Sequence, residues 1–143
     1  MREILANISW LTVTVSTILC RGLGAIWYNP KFPTGKIWAE GAGVSAEAPD
    51  EFPALAMGLN TVGLLLAAIF VTSVSIPTAI LAILAYGVLN TSGGLFAGKS
   101  ASVGLMHIGY WLAGLVIITV VCNFWADYTQ SGALFAPDHT LAS

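Results

Sequence analysis

Polar residues divide this chain into four long apolar stretches, at about residues 4–28, 54–75, 77–98 and 102–125. Each is close to the ~20 residues that a helix needs to cross a hydrocarbon core ~30 Å thick. The first contains an alternation, Leu11-Thr12-Val13-Thr14-Val15-Ser16, whose period of two is that of a strand. Bilayer physics overrides it. A lone strand would leave its backbone N–H and C=O groups unpaired in lipid, and the other stretches are too uniformly apolar for a closed barrel. The pattern therefore predicts an all-α integral membrane four-helix bundle. It forms a single transmembrane domain over residues 1–143, with a longer loop between helices 1 and 2 and short loops elsewhere.

Boundary residues agree with this division. Asp50, Glu51 and Pro53 precede the second span, where acidic side chains favour the helix dipole and proline fits the first turn. Ser75 and Pro77 open the third span in the same way, after a turn so tight that the second and third spans are expected to be antiparallel neighbours. Gly98 can end the third span and Ser100 or Ser102 can cap the fourth. The second half of the long connection, "AEGAGVSAEAPDEFP", has no periodicity and reads as a solvated loop. The alternative is a short amphipathic segment around residues 32–38 lying in the membrane interface. The tail, residues 126–143, is polar and reads as exposed unless a partner covers it, with Tyr128 and Phe135 as docking side chains.

Composition narrows the class. Hydrophobic residues make up 57% and charged residues only 8%, against about 25% charged in an ordinary soluble domain. A net charge of -2 with five basic residues offers no cationic patch for nucleic acid. The N-terminus has one basic residue, Arg2, offset by Glu3, and no small-x-small cleavage pattern, so it is expected to be retained rather than removed as a signal peptide. Lys31, Lys36 and Lys99 fall on the side of the first and third loops and Arg2 on the side of the termini. The positive-inside rule then puts the loops in the cytoplasm and the termini outside.

Where the first span ends, in "GLGAIWYNPKFPTGKIW", the rings of Trp27, Tyr28 and Trp38 flank Lys31 and Lys36. That combination is the chemistry of a membrane–water boundary, and these five residues are candidate interface anchors. Pro30 and Pro33 stop the helix there, and Gly22 and Gly24 allow another helix to come close. "GLGAIWYNP" with the following lysine and Trp38, and "HIGYWLAGLV" in the fourth span, resemble two signatures of the small bacterial four-span membrane proteins catalogued as domain of unknown function 1761. The resemblance implies an integral protein of the bacterial inner (plasma) membrane and supplies no activity. Arg21 departs from it, standing where an apolar or small residue is expected.

At 1.5 Å per residue, Arg21 lies ~10 Å inside the boundary marked by Tyr28, and Asn60, Asn90 and His107 fall at ~8 to 12 Å. Tyr110 follows one turn after His107 on the same helix face. The five polar residues form a candidate ligand-binding layer, because ionisable groups within a membrane usually face a bundle or a wet cavity. The alternative is that the amides and His107 hydrogen-bond neighbouring helices while Arg21 reaches headgroups. Neither histidine has metal-ligand spacing around it, and no paired carboxylates or Ser–His arrangement lies within the spans. No cofactor, metal or catalytic residue is therefore expected. Small-residue pairs, Gly63 with Ala67, Gly94 with Gly98 and Gly109 with Ala113, permit close helix contact. The reading that follows is a non-enzymatic membrane protein embedded in the lipid bilayer. It acts as an accessory or assembly subunit with other membrane protein subunits, or as a homo-oligomer. The alternative is a small transporter or anionic ligand- or lipid-binding protein using the polar layer.

Overall fold

The computed structural model describes residues 8–45 and 54–134, with side chains through residue 125. Among them the chain forms five helices: α1 (Trp10–Trp27), α2 (Pro33–Ala42), α3 (Ala54–Ser73), α4 (Ile76–Phe96) and α5 (Ala101–Leu134). Four are long and apolar enough to cross a membrane, namely α1, α3, α4 and the Ala101–Trp125 part of α5. The all-helical four-span architecture is thus the one that bilayer physics requires of such a sequence.

Helix ends follow their capping residues. α1 begins six residues later than its apolar run, because the Ser9 hydroxyl accepts from the Thr12 N–H and caps the helix there. Ser75 caps α4 with Pro77 in its first turn, as expected from sequence. Gly98, with φ of 76°, closes α4: its N–H donates to the Leu95 carbonyl and the Lys99 N–H to Gly94. A left-handed residue at that position satisfies two orphan carbonyls at once. Ser100 then accepts from the Ser102 N–H at the start of α5. The proposed cap at Asp50, Glu51 and Pro53 lies outside the described residues.

The segment after α1 is a helix where the alternative put a short amphipathic segment, and α2 is tucked against the start of α5. The Ser100 N–H donates to the Gly41 carbonyl at 3.0 Å, and a Cβ on Gly41 would lie 2.5 Å from the Ser102 hydroxyl oxygen. α5 continues to Leu134, so the first residues of the expected polar tail extend the helix; Phe135 lies outside the described residues.

Packing is uneven. α1 lies between α3 and α5, burying a stripe of Thr12, Val13, Ser16, Thr17 and Cys20 at helical spacing. α4 packs almost wholly on α5. Although only Val74 and Ser75 separate α3 from α4, those two helices have little contact and diverge, so they are not the packed neighbours that the tight turn implies. The reason is local. Gly87 and Gly104 let α4 approach α5 closely, against the Ile108 and Thr91 side chains, whereas Gly63 on α3 has open space around its Cβ direction.

Candidate functional site

The end of α1 and the middle of α5 interlock. Gly24 leaves room for Tyr110, whose hydroxyl oxygen would lie 3.1 Å from a Cβ there; that hydroxyl donates to the Cys20 carbonyl at 3.0 Å. One turn on, the Trp27 indole lies over Gly109 and its Nε1–H donates to the Met106 carbonyl at 3.2 Å. The Tyr28 hydroxyl and His107 Nδ1 are hydrogen-bonded at 2.9 Å. Tyr28 also meets the Trp38 ring edge-on, with centroids 5.4 Å apart, and Tyr110 at 5.3 Å. Tilted and edge-to-face rings at these separations add to the area they bury. The chain turns sharply beneath this cluster. The Asn29 side chain accepts from the Lys31 N–H, Thr34 caps the Trp27 carbonyl, and Gly35 passes so near the Asn29 backbone that a Cβ would collide with it.

Trp27, Tyr28 and Trp38 are therefore half-buried, each with one side against the protein's own helices. Lys31 and Lys36 are exposed. Of the two glycines in the motif, Gly24 makes the close approach, while Gly22 has nothing within 4 Å of its Cβ direction.

The five candidates for a polar layer divide into separate groups. Arg21 turns toward α3, donating to the Thr61 hydroxyl at 2.8 Å and the Met57 carbonyl at 3.3 Å. Asn60, one residue before Thr61, is exposed. His107 and Tyr110 belong to the interlock with α1. Asn90 is exposed on α4, but it lines a groove with His107 and Lys99. The direction each side chain faces separates them. Among the described residues no group of three or more His, Cys, Asp or Glu side chains is placed to hold a metal. Cys20 and Cys122 are free thiols.

The groove runs between α4 and α5. At its loop end it has a volume of about 550 Å³, with Asn90, Lys99, Ser100 and His107 among its walls. Tyr86 also lines a second, apolar chamber of about 420 Å³ where α3 and α4 diverge, floored by α5.

The model of a family described as a protein of unknown function (DUF1761) matches residues 11–123. The chain belongs to this family. No curated protein and no solved structure matches it. In this DUF1761 chain the two sequence signatures turn out to be the two halves of one contact: "GLGAIWY" supplies Gly24, Trp27 and Tyr28, and "HIGY" supplies His107, Gly109 and Tyr110. The acceptors that complete this contact, the Cys20 and Met106 carbonyls, carry no signal in a sequence, since every residue has one. Thr61 was also missed. It looks like any hydroxyl in an apolar helix, and only its direction toward Arg21 distinguishes it.

Proposed function

We propose that the protein is a non-enzymatic membrane protein that acts by association, as an accessory or assembly subunit of a larger membrane complex or as a homo-oligomer. The observation that carries this reading is how little of α3 and α4 the chain itself covers: 11% of the residues in each span are buried, against 28% in α1. Leu55, Leu59 and Val62 are exposed along α3, and Leu81, Val88 and Phe96 along α4. Gly58 lies on the outer surface of α3 with nothing within 4 Å of its Cβ direction, leaving a shallow place where a partner helix can approach. The polar side chains that might have carried chemistry are instead occupied in holding the bundle: Arg21 with Thr61, Tyr28 with His107, and Tyr110 with the Cys20 carbonyl.

Native mass spectrometry after gentle extraction from the source membrane tests this. The expected result is an assembly larger than the monomer, weakened when Gly58 is replaced by leucine. A lone monomer in every mild detergent would sink the proposal.

A further inference from the structure

We infer that the groove between α4 and α5 binds one anionic lipid from the surrounding bilayer, its headgroup at Lys99, Asn90 and His107 and a hydrocarbon chain beyond Tyr86 in the apolar chamber. This goes beyond the association reading and does not depend on it, since that reading uses the outer faces of α3 and α4.

The order of chemistry along the groove, charged and polar at the loop end and apolar beyond Tyr86, is that of a lipid. From Ala97 to Ala82 the groove and the chamber together follow α4 for about 22 Å at 1.5 Å per residue. That exceeds the ~15 Å half-thickness of a hydrocarbon core, so a chain whose headgroup sits at the loop end reaches past the bilayer centre. The polar half is at the loop end, where Lys99 is exposed and supplies positive charge. The interlock fixes the orientation of His107: Nδ1 is committed to Tyr28, so Nε2 is the nitrogen left for an occupant of the groove it lines. The apolar chamber is bounded by side chains such as Phe70 on α3, Ile83 on α4 and Leu115 on α5. Such a chamber does not hold water, which needs two or more polar partners.

The chamber, at about 420 Å³, is on the scale of one hydrocarbon chain. If a methylene needs about the ~30 Å³ that a water takes in the liquid, the same volume takes on the order of 14 methylenes, one chain.

The test places the full-length protein in nanodiscs of equal parts phosphatidylglycerol and phosphatidylcholine, transfers it to mild detergent, and identifies retained lipid by native mass spectrometry. One phosphatidylglycerol per chain is expected. Lys99→Ala should lower its retention about five-fold, from ~1 kcal/mol per lysine facing anionic lipid. Gly63→Phe should abolish retention with helicity unchanged, because Gly63 lines the chamber and a Cβ there meets nothing within 4 Å. Three outcomes overturn the inference: no retained lipid, equal retention of phosphatidylcholine, or wild-type retention in Gly63→Phe. A copurifying protein subunit that Gly63→Phe displaces would also overturn it.

Discussion

Gly104→Ala, compared with Gly93→Ala, tests how α4 is held. A Cβ on Gly104 would overlap the hydroxyl oxygen, Cβ and Cγ2 of Thr91 together. Thr91 is β-branched and its hydroxyl donates to the Gly87 carbonyl at 2.7 Å, so it has neither a long chain to fold aside nor a free rotamer to adopt. The helices must separate instead. Carbon contacts sit at ~3.5–4.0 Å, so the interface opens by about 1 Å, and a gap of 0.5–1 Å forfeits roughly a quarter to a half of the dispersion energy at each contact. Overpacking of this kind costs ~1–3 kcal/mol. Both substitutions gain the same ~1 kcal/mol of helix propensity, and at Gly93 nothing within 4 Å opposes it. Gly104→Ala should therefore be ~1–3 kcal/mol less stable than Gly93→Ala, since the shared propensity gain cancels. The assay is reversible unfolding in mixed micelles titrated with sodium dodecyl sulfate and followed by circular dichroism. If the two variants unfold at the same detergent fraction, the close α4–α5 approach is not what holds α4.

Two further substitutions separate the roles of the polar residues. Arg21→Leu should move two readouts in opposite directions. Isolated α1 should insert more readily, by up to the ~2.5–3.5 kcal/mol that Arg costs at a helix centre. The folded bundle should lose ~0.6–1.7 kcal/mol of its α1–α3 hold, measured by detergent unfolding. For Tyr28→Phe and His107→Phe, a double-mutant cycle in the same unfolding assay should give a coupling of about 0.6 kcal/mol or more. Strict additivity would show that the 2.9 Å contact contributes nothing.

The fold could be read from the sequence because its signals are local. Ser75, Pro77, Gly98 and Ser100 each act within a few residues of where they stand, and each marks a real helix end. The candidate site was only half legible. Counting residues fixes depth, at ~1.5 Å each, but the face a side chain takes depends on rotation of ~100° per residue. In helices apolar all round, such as α3 and α4, no amphipathic stripe reveals which face is inside. Asn60 and Thr61 show the consequence: they are neighbours at nearly one depth, yet Thr61 meets Arg21 and Asn60 faces outward. The aromatic motif is ambiguous for a related reason. Trp and Tyr near a span end suit headgroups and helix packing alike, and only Gly24 and Gly109, opposite them, make room for the second.

The interlock also has a timetable. Its partners are far apart in the chain, 79 residues for Tyr28 with His107 and 90 for Cys20 with Tyr110. Synthesis proceeds from the N-terminus at ~5–20 residues per second, so α1 waits roughly 4–16 s for His107 to be made. Thr61 is only 40 residues beyond Arg21 and becomes available in roughly half that time. The arginine that makes α1 costly to insert thus gives it an early partner, and α1 can be held against α3 before α5 exists. Losing that partner would lengthen the interval in which α1 stands unaccompanied in the membrane, within reach of quality-control proteases, even if the finished bundle were only slightly weakened.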